Sequence, residues 1–435
     1  MRIILSVSLL LFANSIWASD KMFEALLTSH WKNAQTEQIF FRMDMDAWRF
    51  SGPLADMSPA GETRRQRFNQ KMLDQLAAIE LKTLSRNNQI SYQIFRYERE
   101  TESESYRQPV SLYPITNRDG WHNSFANAPA NMSFLTLADY EKYLVSLADY
   151  PRFNRQHISL LDNAVREGHT QFCTSMIGFE QSISTQIVSD PTHSALYQPF
   201  ADLPASTSAQ TGADLRSRAR DIISKDVIPA YRELLDFYLT RYQPHCRTKE
   251  GISSRVGGED FYRYLVRFHT TTKMTPSEIH QLGLDEVDRI HKDMQLAIEA
   301  SGFDGSSAEF LEFLRSDARF YTSDEEDLLE KASRIAKRMD GQLPRLFATL
   351  PSLPYDIREI PISIAEKTTG AYYTPAPGDG RTPGTYYVNT SLLASRPLYT
   401  LEALTFHEAV PGHHLQTALA LENDIPDFRR YLYYS

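Results

Sequence analysis

The residues best suited to carry out chemistry lie in one short segment, 407–414, which reads His-Glu-Ala-Val-Pro-Gly-His-His. Three of the chain's twelve histidines and one carboxylate fall within it. Imidazole nitrogens are preferred zinc ligands, and a carboxylate beside the metal can serve as a general base. The segment therefore predicts a zinc site with hydrolytic chemistry. An ordinary helix start after Pro-Gly is the alternative interpretation.

The spacing differs from that of the usual zinc-peptidase helix, His-Glu-x-x-His, in which the ligands at i and i+4 share one face. Here the i+4 position after His407 is Pro411. On an uninterrupted helix, His413 lies roughly 120° around from His407, and His414 lies about 10.5 Å further along the axis. Pro411 lacks a backbone N–H and Gly412 adds backbone freedom, so a bulge or short loop can return the next histidine. This favours His413 as the second ligand and keeps His414 open.

Composition and the N-terminus indicate an exported globular protein. The chain has 435 residues, 42% hydrophobic and 23% charged, and can bury a large core without a disulfide or metal staple. Residues 1–18 resemble a signal peptide, with Arg2 before an apolar run, and we expect cleavage after Ala18. A buried N-terminal helix is the alternative. No cysteine follows to accept a lipid, so we expect a periplasmic or secreted protein without a membrane span after signal removal.

Net charge limits the classes of binding partner, and the cysteine content allows one disulfide. The chain carries 46 Lys and Arg against 55 Asp and Glu, a net charge of −9, and loss of Arg2 with the signal peptide makes it more negative by one. Such an acidic protein is a poor partner for nucleic acid or an anionic membrane. Cys173 and Cys246 can pair in an oxidising compartment or remain two buried thiols, and the sequence leaves both open.

Two short strands are expected upstream of the histidines. Residues 356–364 end with isoleucine at every second position, which is typical of a strand. Residues 385–390 read as a second strand, after a loop at 374–384 that holds three prolines and three glycines. In zinc peptidases, a strand before the histidine helix is a sheet edge that pairs with extended substrate backbone. A helix that starts near Tyr399 then carries His407.

Helical periodicity predominates elsewhere. One helix is expected from about 214 to 242, kinked or divided at Pro229. The sequence therefore predicts a mostly α fold with a small β-sheet (α+β). A helical region at 19–255 is expected to be continuous with a metallopeptidase-like catalytic region at 256–435.

From about Phe261 to its end, the chain resembles the bacterial domain of unknown function 885 (DUF885) family, placed with the gluzincin-like zinc peptidases. The matching stretches are 269–272, 275–284, 370–373, 384–390 and 407–416, of which the last is the most specific. The resemblance implies a mostly helical metallopeptidase-like fold with a small sheet, one zinc ion and a peptide substrate.

Site residues can be carried over from this resemblance one by one. It implies that His407 and His413 bind zinc, with His414 as the substitute, and that Glu408 takes a proton from the zinc-activated water. Tyr372 or Tyr373 can stabilise the tetrahedral oxyanion by O–H donation, with aromatic packing beside the sheet as the alternative for both.

Two further expectations concern substrate and the third ligand. Asn389 can hold a backbone group of the substrate. Family members continue into a Glu-Gly-Trp-Ala segment whose Glu is the expected third ligand, whereas this chain ends at Ser435. Glu402 and Glu422 are poorly spaced to replace that ligand. We therefore expect a C-terminal truncation, with zinc binding that is weak or lost.

These observations favour a secreted or periplasmic zinc-dependent peptidase with Glu408 as general base. One alternative is a non-catalytic periplasmic binding protein that keeps the peptidase scaffold. The other is a zinc amidase that acts on a non-peptide amide.

Overall fold

A computed structural model describes residues 2–37, 41–44, 47–50, 52–117, 119–365, 368–376 and 382–431. The chain divides into two units, 1–275 and 276–435. Within the described residues, helices predominate in both units, and the β-structure comprises a two-stranded ribbon and a three-stranded sheet. The predicted mostly helical fold with a small sheet is confirmed.

The first unit consists of helices packed around a large aromatic and aliphatic core. Its helices are α1 (Arg2–Glu37), α2 (Pro59–Ala77), α3 (Arg86–Ser105), α4 (Trp121–Asn127), α5 (Leu137–Glu167), α6 (Phe179–Ser184), α7 (Gln198–Ala201), α8 (Ala209–Ile222), α9 (Ile228–Phe237) and α10 (Gly258–Thr270), and β1 (Phe41–Asp44) pairs antiparallel with β2 (Ala47–Phe50). Helix α5 runs through this core and buries Tyr143, Tyr150 and Phe153 completely. Among the described residues, no helix combines the length and apolar character needed to cross a membrane.

The predicted helix at 214–242 is present but interrupted. Helices α8 and α9 are joined by a π-helical segment, Ile223–Val227, and a second one, Tyr238–Tyr242, follows α9. Pro229 is the second residue of α9. Because proline has no N–H to donate, the regular hydrogen-bond ladder cannot continue through it, and the widened π turn lies just before it. The kink or division expected at Pro229 takes the form of this π-helical segment, which ends two residues before the proline, and the chain remains helical through Pro229 itself.

A disulfide joins Cys173 and Cys246, whose Cα atoms lie 5.1 Å apart. The adjacent backbone is paired as well: Cys173 N–H donates to the Arg247 carbonyl at 2.8 Å, and Arg247 N–H donates to the Gln171 carbonyl at 2.9 Å. Of the two possibilities that the sequence left open, the structure shows the paired form.

The second unit contains the histidine segment. Its helices are α11 (Pro276–Ser301), α12 (Ser307–Ser316), α13 (Glu325–Asp340), α14 (Leu343–Leu346), α15 (Ile362–Ala365), α16 (Leu398–Glu408), α17 (His413–Glu422) and α18 (Asp427–Arg430), and its strands are β3 (Tyr355–Glu359), β4 (Ala371–Thr374) and β5 (Gly384–Val388). The sheet order is β3-β5-β4, with β3 parallel and β4 antiparallel to β5. Helices α13 and α16 pack against this sheet through Leu328, Ala332 and Leu401.

Two strand predictions need correction. The strand expected at 356–364 ends at Glu359 and is followed by the helical turn α15, because Pro361 cannot donate to a strand ladder. The strand expected at 385–390 is β5, the central strand with a partner on each side, so it is not the sheet edge that the sequence suggested. Of the predicted loop at 374–384, residues 377–381 lie outside the described part of the chain.

The two units meet between residues 275 and 276, and the expected start of a catalytic region at 256 stays a prediction. Helix α10 lies in the first unit, where the Tyr97 hydroxyl donates to the Arg267 carbonyl at 2.7 Å and Arg267 pairs with Glu104. Helix α1 begins at Arg2 and continues to Glu37 through the segment expected to be a signal peptide, so the cleavage after Ala18 stays a prediction.

Removal of the disulfide should destabilise the first unit. A crosslink that closes 73 residues lowers the entropy of the unfolded chain, so we expect the Cys173→Ala/Cys246→Ala variant to lose about 2–5 kcal/mol of unfolding free energy. All four tryptophans lie before residue 276, so urea unfolding followed by tryptophan fluorescence reports this unit. A reductant should shift the wild-type transition by the same amount and leave the variant unchanged. An unshifted wild-type transition would contradict this role of the disulfide.

Candidate metal centre

The histidine segment folds as two helices joined by a tight turn. Helix α16 ends at Glu408, the turn covers residues 409–412 and includes a cis Val410–Pro411 peptide bond, and α17 begins at His413. Gly412 lies directly against the end of α16: a Cβ atom at this position would be 1.9 Å from the His407 carbonyl oxygen. Only glycine fits such a close approach of two backbone segments. The turn therefore brings the start of α17 against the last residues of α16.

The turn brings three chemically competent side chains together. One ligand atom from each of His407, Glu408 and His413 can be chosen so that all lie within 4.8 Å of one another. The two imidazole rings are nearly perpendicular, with centroids 4.6 Å apart. His413 Nε2 lies 3.9 Å from Glu408 Oε2. We call these three residues the 407/408/413 cluster. Its donor set, two imidazoles and a carboxylate, matches the ligand types that zinc prefers.

The electrostatics of the cluster centre on Glu408, which is only 7% exposed. Burial raises the pKa of its carboxyl, because desolvation disfavours the charged form, and positive charge on His413 and His407 acts in the opposite direction. His407, by contrast, is exposed, so solvent and ligands can reach the cluster from that side. A buried carboxylate beside an accessible pair of imidazoles suits a base that takes protons from a water molecule.

His414 points away from the cluster. Its ring is only 2% exposed, with Nδ1 2.9 Å from the Tyr373 hydroxyl and Nε2 3.1 Å from the Leu353 carbonyl oxygen. Burial lowers the pKa of this imidazole. Both ring nitrogens therefore have partners inside the fold. Of the two histidines that the sequence left open, the structure brings His413 to His407 and Glu408, and places His414 against the sheet.

The two candidate tyrosines lie on opposite faces of β4, because successive strand residues alternate in direction. The Tyr373 ring stacks over His413 with centroids 6.4 Å apart. The Tyr372 ring stacks on Tyr387 instead, with centroids 4.8 Å apart. Tyr373 is therefore at the cluster and Tyr372 is on the far face of the sheet, in the packing role that was its alternative.

Asn389 is fully buried and organises a turn. Its amide nitrogen donates to the carbonyls of Ala365, Thr368 and Thr369, and its side-chain oxygen accepts from the backbone N–H and the hydroxyl of Ser391. All of these partners belong to the fold itself. This placement gives no support to the predicted substrate-binding role and explains why an amide is needed after β5.

The two other carboxylates considered as third ligands are engaged elsewhere. Glu402 pairs with Arg338 on the neighbouring helix α13. Glu422 accepts the backbone N–H groups of Ser352 and Leu353 at 2.9 and 2.7 Å. Within the described part of the chain, Glu408 is thus the carboxylate of the cluster. Ser435, the residue on which the expected truncation rests, lies outside the described residues.

One buried neighbour of the cluster escaped the sequence prediction. Tyr386 faces Tyr373 across the β4–β5 pair and lies 3.2 Å from the Thr405 hydroxyl. Burial and the nearby Glu408 carboxylate raise its pKa to about 12, against the effect of Thr405. The register of two strands joined by a loop cannot be read from a single sequence, and this register is what places Tyr386 next to Glu408.

The comparisons with known proteins extend the sequence resemblance. The profile of a bacterial protein family of unknown function, DUF885, matches residues 44–435. The chain belongs to this DUF885 family. The match covers far more than the region after Phe261 on which the resemblance rested. Among proteins with curated descriptions, no match to this chain was found.

Solved structures share the fold of this DUF885 protein. The crystal structure of a candidate lipoprotein from Colwellia psychrerythraea superposes with a TM-score of 0.75 at 20% identity, covering 94% of this chain and 73% of the other. A candidate lipoprotein of unknown function from Shewanella oneidensis gives a TM-score of 0.59 at 18% identity, covering 95% and 71%. At these identities the likeness establishes the fold alone.

Gly412→Ala should disrupt the cluster. The added Cβ has no space beside the His407 carbonyl, so the turn must open and move His413 away. Such overpacking typically costs about 1–3 kcal/mol. We expect zinc affinity, measured by competition with a chromophoric chelator, to fall about 10- to 100-fold. Gly283→Ala is the matched control, because a Cβ on this exposed helical glycine meets nothing within 4 Å. Equal affinity of the two variants would contradict the role assigned to the turn.

Proposed function

We propose that this DUF885 protein is a zinc-dependent peptidase that hydrolyses peptide bonds at the 407/408/413 cluster. The single observation that carries the proposal is the convergence of His407, Glu408 and His413, whose ligand atoms lie within 4.8 Å of one another. A hydrolytic zinc site uses imidazoles as metal ligands and a neighbouring carboxylate as ligand or general base. The placement of the chain with the gluzincin-like peptidases is part of this proposal.

The donor set fits zinc with Glu408 as base. His407 and His413 are the residues that would hold the metal through imidazole nitrogens, and the exposure of His407 leaves an open approach for substrate. Glu408 is adjacent to both and lies 3.9 Å from His413. The carboxylate can act either as a third ligand or as the base, and one group cannot do both at once. We assign Glu408 the role of general base, because burial raises the pKa of its carboxyl.

Zinc, when bound, supplies the Lewis acidity that lowers the pKa of a water molecule to about 7 and polarises the peptide carbonyl. Glu408 accepts a proton from the attacking water as the new carbon–oxygen bond forms. The same proton then passes from Glu408 to the amide nitrogen while the carbon–nitrogen bond breaks. The products are a carboxylic acid and an amine, the proton of the acid passes to the amine to give a carboxylate and an ammonium ion, and the carboxylate of Glu408 is regenerated.

The sheet offers a place for an extended substrate. Strand β4 has one partner, β5, among the described residues, and its Tyr373 ring stacks over His413. A peptide that adds to a sheet edge forms main-chain hydrogen bonds whatever its sequence. The edge strand beside the cluster is therefore β4 rather than the predicted 385–390 segment. This edge favours a peptide over a compact non-peptide amide.

The site of action is proposed to be outside the cytoplasm, in the periplasm or beyond it. The Cys173–Cys246 disulfide is typical of an oxidising compartment. The signal-like sequence at 1–18 agrees with export, and two proteins of the same fold are described as candidate lipoproteins. Peptides that reach this compartment are the expected substrates.

A non-catalytic binding role is the second candidate. It is favoured by the observation that Glu408 is the carboxylate of the cluster within the described residues. If this carboxylate served as the third metal ligand, no second carboxylate of the cluster would remain as a base among the residues that the structure describes. The protein would then bind zinc or a peptide without hydrolysis. A zinc amidase would use the same machinery as the peptidase and differ only in its substrate.

Glu408→Gln separates these functions. We expect the variant to keep the zinc content of the wild type and to lose about 100- to 10,000-fold in kcat, because only the base is removed. Zinc is measured by metal analysis, and hydrolysis with a library of quenched-fluorescence peptides. Glu402→Gln is the control: it lies on the same helix and pairs at the surface with Arg338, so both readouts should stay unchanged.

Other outcomes identify the alternatives. Loss of zinc in Glu408→Gln would indicate that the Glu408 carboxylate is a metal ligand, and this result would favour the binding role. Retention of zinc with undiminished hydrolysis would refute the assignment of the base. Activity confined to non-peptide amides would indicate the amidase.

A further inference from the structure

The hydrogen bonds of His414 define which atom carries which proton. The Leu353 carbonyl can only accept, so His414 Nε2, 3.1 Å away, must carry a proton and donate it. In a neutral imidazole the other nitrogen is then an acceptor. The Tyr373 hydroxyl, 2.9 Å from Nδ1, therefore donates its proton to His414.

The Leu353 carbonyl is itself held in place. The N–H groups of Ser352 and Leu353 both donate to the Glu422 carboxylate at the end of α17, and His414 lies at the start of the same helix. The loop is thus tied to both ends of α17. His414 Nε2 is therefore bonded to a carbonyl whose position is fixed. The other nitrogen, Nδ1, then fixes the position of the Tyr373 hydroxyl.

Tyr373 is confined from two further directions. Its ring stacks over His413 of the cluster, with centroids 6.4 Å apart. Its hydroxyl lies against Gly384 on β5, where a Cβ atom would be only 1.8 Å from the oxygen. A glycine at this position is required by the phenol rather than by the backbone, because Gly384 has no positive φ. These contacts hold the Tyr373 phenol between His413, His414 and Gly384.

We infer that His414 is a positioning residue, not a metal ligand, and that it fixes the Tyr373 hydroxyl as a hydrogen-bond donor to Nδ1, so that toward a substrate the Tyr373 oxygen acts as an acceptor. A phenol has one proton, and the Tyr373 hydroxyl donates it in the hydrogen bond to His414 Nδ1. Tyr373 is therefore an acceptor for a substrate N–H group, whereas the oxyanion role expected from the sequence would require its proton. The substrate part of this inference rests on the proposed peptidase function, and the hydrogen-bond part does not.

Two substitutions of His414 separate its two bonds. The side-chain oxygen of Asn lies as many bonds from Cα as Nδ1 does, so His414→Asn can keep the acceptor for Tyr373. The end of Gln corresponds to Nε2, so His414→Gln can keep the donor to Leu353 while losing the acceptor. Tyr373→Phe removes the hydroxyl itself, and circular dichroism confirms that each variant is folded.

Zinc content and hydrolysis of a quenched-fluorescence peptide are then compared. We expect all three variants to retain zinc as the wild type does, whereas His413→Gln loses it. His414→Gln and Tyr373→Phe should each raise KM or lower kcat/KM about 10- to 100-fold, with His414→Asn close to wild type. Loss of zinc in His414→Gln, or equal effects of the Asn and Gln variants, would overturn the inference.

Nitrogen NMR of histidine-labelled protein gives a readout that needs no activity. The His414 signals are assigned by their absence in His414→Gln. We expect a protonated Nε2 and an unprotonated Nδ1 whose signal moves toward that of a free imine nitrogen in Tyr373→Phe. A protonated Nδ1, or zinc-induced shifts typical of direct coordination at His414, would refute the positioning role of His414. A protein without peptidase activity that shows the expected signals would refute the proposed function and leave the positioning role standing.

Discussion

The arrangement of the candidate site depends on the close approach of Gly412 to the carbonyl of His407. This contact exists because the chain turns at Pro411 and Gly412 and starts a new helix at His413, five residues after the previous one ends at Glu408. The His414 N–H then donates to the Ala409 carbonyl at 3.0 Å, which bridges the turn. Without this turn, His407 and His413 would lie on different faces of one helix and could not bind the same metal ion.

The same turn gives two neighbouring histidines different environments. Successive residues of a helix point about 100° apart. At the start of α17, His413 therefore faces His407 and Glu408, while His414 faces the sheet and the loop at Leu353. Tyr373 touches both rings, so a single strand residue connects the candidate metal centre to the buried framework.

The local features of this site were predictable from sequence, whereas those that depend on long-range pairing were not. The distortion at Pro411 and Gly412 follows from backbone chemistry, and it led to the preference for His413. The helical class and the interruption near Pro229 follow in the same way from residue type. The order of the sheet, by contrast, depends on which strands pair, and this placed β5 in the centre and β4 at the edge. The environments of Tyr373, Tyr386 and Asn389 all follow from that order.

In the proposed site, His407 and His413 bind one zinc ion together. X-ray absorption at the zinc edge, on protein loaded with one equivalent of zinc, tests it most directly. We expect nitrogen and oxygen ligands at about 2.0–2.2 Å from the zinc, with the multiple-scattering signature of two imidazoles. In His407→Gln and in His413→Gln the signature should fall to one imidazole, and in His414→Asn it should remain at two. A shell without imidazole, or one that loses an imidazole in His414→Asn, would contradict the account.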